Sequence, residues 1–219
     1  ARLRPARAAK GPVEPWGGRA LPRAMPWILV LAVLWSAAAP LRAEAEGVAE
    51  TQRTAIDELT ADPALDPSMR QRLVLARLIN QTRTSAGLPA LIIDARLMTA
   101  AQAHSHDMKA TGRCSHGGSD GSTARQRIRA AGYAHDNWAG ENILCSTRGP
   151  EAALGWWLAS APHRRNLLHA HYVHIGVGYD PDGPYGPMWT LVFASGERIT
   201  VMPRVLSRVG LDPATPGTR

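Results

Sequence analysis

The side chains of this sequence that could carry chemistry are four histidines, one glutamate and one serine: His104, His106, His116, Glu141, Ser160 and His163. Imidazole and carboxylate groups can bind divalent cations, exchange protons near neutral pH or hydrogen-bond to each other. Because His104 and His106 are two positions apart, a helix would point them to different sides, and they cannot form the pair of an H-E-x-x-H metal site. We expect His104 on an apolar helix face, either as a buried, hydrogen-bonded histidine or in a cavity, and His106 in solvent.

Ser160 and His163 have the residue types of a nucleophile and its base. A catalytic serine of the α/β-hydrolase type would lie in a G-x-S-x-G motif, which the sequence lacks. We therefore expect Ser160 to be the N-cap of a short helix that contains Pro162 and His163. Three further histidines alternate beside a predicted strand, and we expect their imidazoles to point outward rather than to form a metal cage: His169, His171 and His174.

The positive charge of the chain is concentrated at its N-terminus. The formal net charge is +7, and residues 1–43 contain seven Lys or Arg residues against one Glu. The remaining residues carry 18 basic and 17 acidic side chains, which is nearly neutral. Because nucleic-acid binding needs a basic surface that neutralises phosphates, we expect no nucleic-acid partner. A hydrophobic content of 45% with 20% charged residues excludes a wholly disordered chain.

An apolar segment from Trp27 to Ala39 follows the N-terminal basic residues. It is shorter than the about 20 residues that a membrane-spanning helix needs. The small residues after it, Ala43-Glu44-Ala45, match an A-x-A signal-peptidase site. We predict a leader and signal peptide over residues 1–43, cleavage between Ala43 and Glu46, and a secreted or periplasmic protein with no stable membrane span after cleavage. The alternative is an uncleaved anchor or a buried core helix.

The two cysteines of the chain are Cys114 and Cys145. An even number of cysteines in an exported protein favours a disulfide. Neither cysteine belongs to a C-x-x-C motif, which would indicate redox chemistry or zinc binding. We predict one Cys114–Cys145 disulfide, with two reduced, buried thiols as the alternative. The disulfide would tie the segment before His116 to the segment after Glu141.

Helical periodicity and helix-breaking residues divide the rest of the chain. Residues 44–67 are polar and contain two Asp-Pro pairs, so we predict a linker there. We predict helices over about 69–85 with Ser68 as N-cap, from Asp94 to about Ala110, near 123–131 and from Pro150 to about Ala159. Two strands, Ile175–Tyr179 and Met188–Ala194, should then form a hairpin. Early helices and a late hairpin indicate an α+β fold, and we expect a loose tail over residues 197–219.

A series of short blocks between Asn80 and Ser195 is specific by its order, although each block alone is weak. The blocks are Asn80-x-x-Arg83-x-x-Ala86-Gly87-Leu88-Pro89, Ala101-x-x-His104-Ser105-x-Asp107-Met108, Ser115-His116, Gly140-Glu141-Asn142-Ile143, Trp157-x-x-Ser160-x-x-His163-Arg164-x-Asn166 and Ile175-Gly176-Val177-Gly178. With these blocks the chain resembles the CAP superfamily (cysteine-rich secretory proteins, antigen 5 and pathogenesis-related proteins) in its bacterial SCP-like form.

The resemblance implies a three-layer α-β-α sandwich over residues 68–196, with a central cavity lined by histidines and glutamates. By the matched motifs, His116 and His163 would be the cavity histidines and Glu141 one cavity acid, and we add His104 and Asn142 as candidate binding residues. Ser160 stands near the position of a second cavity acid in many eukaryotic members. The fold class that we expect is therefore α+β, of the CAP/SCP type.

Two imidazoles and one carboxylate, from His116, His163 and Glu141, would give a divalent cation such as zinc three ligands and an open position, as in catalytic zinc sites. His116 and His163 are the metal ligands that we expect in that case. The same three side chains can equally form a hydrogen-bonded cluster that holds loops over the core.

The resemblance implies a binding or interaction module, and the partner that we expect is a small hydrophobic ligand, a peptide or a component of the cell envelope. The alternative is a divalent-metal-dependent hydrolase that uses His116, Glu141 and His163. Such an enzyme needs a general base besides its metal ligands, and no free carboxylate is evident in the sequence for that role. We therefore favour binding over catalysis and assign no catalytic residue.

Overall fold

The computed structural model describes residues 47–134 and 136–196, which contain six helices and four strands. The helices are α1 (residues 47–61), α2 (Pro67–Ser85), α3 (Ala95–Thr111), α4 (Ala124–Ala130), α5 (Pro150–Ala159) and α6 (Ala161–Leu167). The strands are β1 (Ile92–Ile93), β2 (Ala139–Cys145), β3 (His174–Asp180) and β4 (Met188–Ala194). No helix in these two ranges is long and apolar enough to cross a membrane.

The four strands form one sheet in the order β1-β3-β4-β2. β4 pairs with β3 and with β2 in antiparallel register, and β1 pairs with β3 in parallel. The predicted hairpin of β3 and β4 is confirmed, whereas β1 and β2 were not predicted as strands. β2 is an edge strand, so side chains from both of its faces can approach each other around the open edge.

Helices cover both faces of the sheet, which confirms the α-β-α sandwich. On one face, Leu97 of α3 and Ile128 of α4 pack in a buried cluster with Val192 of β4. On the other face, α2 and α5 contribute Leu73 and Trp157 to the larger part of the core. Each strand therefore presents alternate side chains to two different helical layers.

The approach of α3 to the sheet depends on a glycine in β3. A Cβ atom at Gly176 would lie 2.1 Å from the carbonyl carbon of Leu97 in α3. No side chain could be accommodated at that distance, so the absence of one allows the helix backbone to lie directly on the strand. This close packing fixes α3, which carries His104, against the sheet.

The predicted starts of the helices are correct for α3 but not for α2. Asp94 caps α3, and its carboxylate accepts hydrogen bonds from the backbone N–H groups of Arg96 and Leu97. For α2 we predicted Ser68 as the cap, whereas Asp66 is the cap and accepts a 2.8 Å hydrogen bond from the Met69 N–H. Pro67 occupies the first helical turn, where its missing N–H costs nothing.

The predicted linker over residues 44–67 contains a helix, α1. Ile56 of α1 is 3% exposed and belongs to the main core. The side chain of Gln52 exchanges hydrogen bonds with the backbone of Ile93 in β1. The Asp62-Pro63 pair follows the end of this helix, so it terminates α1 and does not prevent it. The predicted leader, its cleavage site and the loose tail lie outside the described residues.

Candidate functional site

Glu141 is the centre of a charged cluster on the edge strand β2. Its side chain is 3% exposed and points toward the layer of α3 and α4. Oε2 accepts a 2.7 Å hydrogen bond from Nη2 of Arg127, and Oε1 lies 2.8 Å from Nδ1 of His116. Both oxygens of the carboxylate are therefore held by cationic or polar groups of the protein itself.

Arg127 connects three segments around this carboxylate. It lies on α4 with its side chain mostly buried, and besides Glu141 it donates hydrogen bonds to the backbone carbonyls of His116 and Ser122. The capping box of Thr123 and Gln126 fixes the start of α4. We did not predict Arg127 as a site residue, because nothing in the sequence distinguishes it from Arg125 and Arg129 two positions away on the same short helix.

His116 is the exposed member of the cluster, with 60% of its side chain accessible. The hydrogen bond to Glu141 raises the pKa of the imidazole above its ordinary value, and the negative charge of that carboxylate adds to the effect. Because Nδ1 faces the carboxylate, it is protonated, and Nε2 is the nitrogen left to meet a ligand.

His104 lies on α3 and is fully buried. Its Nε2 donates a 2.9 Å hydrogen bond to the carbonyl oxygen of Ser115 and is 3.9 Å from Oε1 of Glu141. Burial lowers the pKa of His104, so the neutral imidazole is favoured. Of the two roles that the sequence left open, the structure shows the buried, hydrogen-bonded histidine. His106 is exposed as expected, and its ring hydrogen-bonds to Gln102.

Asn142 follows Glu141 on β2 and therefore points to the opposite layer. Its Nδ2 donates a 3.0 Å hydrogen bond to the carbonyl oxygen of His163, and its Oδ1 accepts one from Asn166. Nδ2 of Asn166 also lies 3.2 Å from the carbonyl oxygen of Glu141. These contacts hold α6, which carries His163, against the edge of the sheet.

His163 lies on this second side of β2. Its Nδ1 is 2.7 Å from Oγ of Ser160, and its ring is 5.6 Å from the ring of Trp156. Burial lowers the pKa of His163, and the nearby charge of His116 lowers it further. Ser160 is the N-cap residue of α6 as predicted, but its hydroxyl makes no capping bond to the backbone and contacts the imidazole instead.

The structure thus brings Glu141 together with His116 and His104, and places His163 across the edge of β2. His116 and His163 are close enough for their charges to interact, yet the hydrogen bonds of His163 go to Ser160 and Asn142 rather than to Glu141. Each of the two imidazoles has Nδ1 engaged within the protein. Together they can present two Nε2 atoms to a ligand at the edge of the sheet.

A disulfide joins Cys114 and Cys145, as predicted. Cys114 stands at the start of the loop that carries His116, and Cys145 is the last residue of β2. The two Cα atoms are 6.2 Å apart. The covalent bond therefore holds the His116 loop beside the strand that carries Glu141.

The remaining three histidines do not form a metal cage, but the outward orientation is wrong for one of them. His174 is 2% exposed, and its Nδ1 lies 2.6 Å from the hydroxyl oxygen of Tyr133. As the first residue of β3, it faces the layer of α3 and α4 rather than solvent. His171 is exposed and stacks on Trp138, with the half-buried His169 beside both rings.

A divalent cation does not fit the arrangement around Glu141. In residues 47–134 and 136–196, no three His, Cys, Asp or Glu side chains stand where they could hold a metal ion. The guanidinium of Arg127 bonds Oε2 of Glu141 and would repel a cation there. Glu141 is therefore unavailable as a third ligand beside the predicted zinc ligands His116 and His163.

Comparison with known proteins gives a match to a family model and several similar proteins. Residues 76–193 match the model of the cysteine-rich secretory protein family (CAP). Two relatives from Bacillus subtilis (strain 168) are similar in sequence. The uncharacterized protein YkwD is 32% identical over 134 residues, which is 61% of this chain and 50% of YkwD. The uncharacterized membrane protein YlbC is 36% identical over 103 residues, 47% of this chain and 30% of YlbC. This chain thus spans half or less of the length of these relatives.

Solved structures show the same fold. An extracellular protein containing an SCP domain from Bacillus anthracis str. Ames superposes with a TM-score of 0.54 at 29% identity, covering 61% of this chain and 45% of that one. An outer surface protein from Borrelia burgdorferi superposes with a TM-score of 0.52 at 20% identity, covering 57% of this chain and 91% of that one. At its lower identity, the second match bears on the fold alone.

Proposed function

This chain belongs to the cysteine-rich secretory protein (CAP) family, and from that premise we propose that it is an exported binding module. The module comprises residues 68–196 together with α1, whose Ile56 packs in the same core, and it follows a leader and signal peptide over residues 1–43. Its ligand is a small hydrophobic molecule, a peptide or a component of the cell envelope. The ligand carries an oxygen atom that hydrogen-bonds to the imidazoles of His116 and His163. The extracellular SCP-domain protein of Bacillus anthracis supports an extracellular location for this chain as well.

The observation that carries the proposal is that both carboxylate oxygens of Glu141 already have hydrogen-bond partners within the protein. Its carboxylate accepts hydrogen bonds from Arg127 and His116 and is almost wholly buried, so it serves to position groups rather than to react with a substrate. The hydrogen bond from Nδ1 of His116 fixes the orientation of that imidazole. The Ser160 hydroxyl has the corresponding role for His163. Two imidazoles that are oriented in advance lose little conformational entropy when a ligand binds.

The competing function, a metal-dependent hydrolase, lacks two components among residues 47–134 and 136–196. It needs a three-ligand metal site, which Arg127 disfavours, and a carboxylate that is free to act as general base. Glu141 is not free in this sense, because a proton on it would break its ion pair with Arg127. The site therefore favours ligand binding over hydrolysis.

Mass spectrometry of organic extracts from the purified chain tests this proposal. Wild-type protein should release a bound molecule in a near-stoichiometric amount, and a His116→Ala/His163→Ala double variant should release at least about tenfold less, since each lost hydrogen bond costs about 1 kcal/mol. His106→Ala, which removes an exposed histidine away from the site, is the matched control and should retain the ligand. Equal amounts in the double variant and wild type would contradict the proposal, as would a wild-type protein that releases no ligand.

A further inference from the structure

The solvent-facing side of α5 is apolar. Beyond Glu151 in its first turn, the exposed positions of α5 follow the helical spacing i, i+3, i+4 and i+7 and are Ala152, Gly155, Trp156 and Ala159. None of these residues is charged, whereas the outer face of a surface helix ordinarily carries charged or polar side chains. Trp156 at the centre of this face is 52% exposed. A large aromatic side chain surrounded by small apolar residues is the composition of a contact surface.

The neighbouring helix α6 adds positive charge to this face. Arg164 and Arg165 are exposed, and neither has an ion pair within the described ranges. Nη1 of Arg164 lies 3.4 Å from the carbonyl oxygen of Leu158, so this arginine reaches back along the C-terminal half of α5. Pro162 is exposed in the first turn of α6. We call these residues the α5–α6 surface: Ala152, Gly155, Trp156, Ala159, Pro162, Arg164 and Arg165.

The acidic residue nearest in sequence to the α5–α6 surface is Glu151, which precedes Ala152 at the start of α5. Between Glu151 and Asp180 there is no Asp or Glu, although this stretch includes two arginines and four histidines. Among residues 151–179, a partner with positive charge would find counter-charge only at Glu151, whereas a partner with negative charge would be attracted by Arg164 and Arg165. Charge complementarity therefore favours an anionic partner that also accepts an apolar side chain.

We propose that the α5–α6 surface docks on a membrane that contains anionic phospholipids. In this arrangement Trp156 enters the interface between headgroups and acyl chains, where tryptophan is preferred. Arg164 and Arg165 contact the headgroup phosphates, which guanidinium groups bind in bidentate fashion. The small residues around Trp156 allow α5 to lie flat against the bilayer. This proposal does not depend on the ligand site of His116 and His163, which could fail without affecting it.

Vesicle co-sedimentation of the full chain tests the docking. The wild type should bind phosphatidylcholine vesicles that contain phosphatidylglycerol, and should bind them more weakly at high salt and in the absence of phosphatidylglycerol. Trp156→Ala should weaken binding by at least about tenfold, because it removes most of the apolar area available for burial. Arg164→Gln and Arg165→Gln should each weaken it about fivefold.

Two matched controls separate this surface from general effects. Tyr185→Ala removes another exposed aromatic side chain, and Arg113→Gln removes another exposed arginine without an ion pair in the described part of the chain. Both controls should bind vesicles as the wild type does. Circular dichroism should show that all variants are folded, as expected for exposed positions.

Several results would overturn the proposal. Equal binding to vesicles with and without phosphatidylglycerol would exclude recognition of anionic lipid. Binding that Trp156→Ala and Arg164→Gln leave unchanged would show that another segment makes the contact, and an equal loss in Arg113→Gln would indicate general charge attraction. A dimer in light scattering that Trp156→Ala dissociates would show that the surface binds a second copy of the chain instead.

Discussion

The ion pair of Glu141 and Arg127 should be a principal source of stability at the site, and a double-mutant cycle can measure its contribution. The two single variants are Glu141→Gln and Arg127→Met, which preserve side-chain size while removing one charge each. In Glu141→Gln, the amide oxygen can accept from only one of Arg127 and His116 and the NH₂ group turns toward the other, so at least one charge-assisted hydrogen bond of the carboxylate is lost. In Arg127→Met, Glu141 stays buried with His116 as its remaining side-chain hydrogen-bond partner and with Nε2 of His104 3.9 Å away.

The expected size of the effect follows from burial and partners. Hydrogen bonds to charged groups contribute about 1.5–3 kcal/mol each, and removing one partner of a buried ion pair costs about 3–5 kcal/mol. Arg127 keeps its hydrogen bonds to two backbone carbonyls in Glu141→Gln. We therefore expect this variant to lose about 3 kcal/mol of unfolding free energy, the lower end of the range for a broken buried ion pair. For a domain of this size, that corresponds to a fall in Tm of about 6–12 °C.

The assay is urea unfolding of the wild type, both single variants and the double variant. The double variant should be about 2 kcal/mol more stable than the sum of the single effects predicts, since the two residues are in direct contact. Glu151→Gln, at an exposed position in the first turn of α5, is the control and should cost less than about 1 kcal/mol. Additive effects of Glu141→Gln and Arg127→Met, or a Glu141→Gln variant as stable as the control, would refute the reasoning.

Three further predictions concern the disulfide, His104 and His116. Denatured, unreduced protein should contain no titratable thiol, and two free thiols in the wild type would contradict the disulfide. A Cys114→Ser/Cys145→Ser variant should be about 2–4 kcal/mol less stable than the wild type in urea unfolding. Burial lowers the pKa of His104 in the folded protein. The contribution of the neutral imidazole to stability is therefore present above pH 6.5 and is lost as the pH falls through the pKa of the folded state. The variant His104→Gln should flatten this decline of stability toward pH 5. The raised pKa of His116 gives the opposite dependence on pH. The stabilisation by His116 is present below pH 6.5 and is lost as the pH rises through the pKa of the folded state. The variant His116→Asn should remove this loss. Unfolding curves at several pH values would check both signs, and unchanged pH profiles would contradict them.

Helices with a strong local signal could be predicted from the sequence. For α3, a single Asp at the start and a regular apolar stripe gave both the cap and the extent correctly, because both signals are local. For α2, Asp66-Pro67 was interpreted as a helix breaker, although Pro favours the first turn and Asp the cap position. For α1, the apolar contacts of Ile56 depend on where the core lies, and no local pattern in a charged segment indicates that.

The candidate site could be predicted only in part, for a reason that lies in the geometry of β2. The motif order places His116, Glu141 and His163 near one another, and they do gather around one strand. Which of them touch is decided by the alternation of side chains along that strand: Glu141 faces α4, and the next residue, Asn142, faces α6. Arg127 is adjacent to Glu141 only because the loop after Cys114 folds back, which no sequence spacing reveals.

The central claim is that His116 and Glu141, with Arg127, form a hydrogen-bonded cluster that orients imidazoles toward a ligand and does not bind a metal. The most direct test is a two-dimensional ¹⁵N–¹H spectrum of the histidine rings, recorded with and without one equivalent of Zn²⁺ above pH 6.5, with His116→Ala and His163→Ala used for assignment. We predict that His116 is protonated at Nδ1, and that neither its ring signals nor those of His163 shift when zinc is added. Saturable shifts of both rings at one zinc ion per chain would contradict the account and support a metal site.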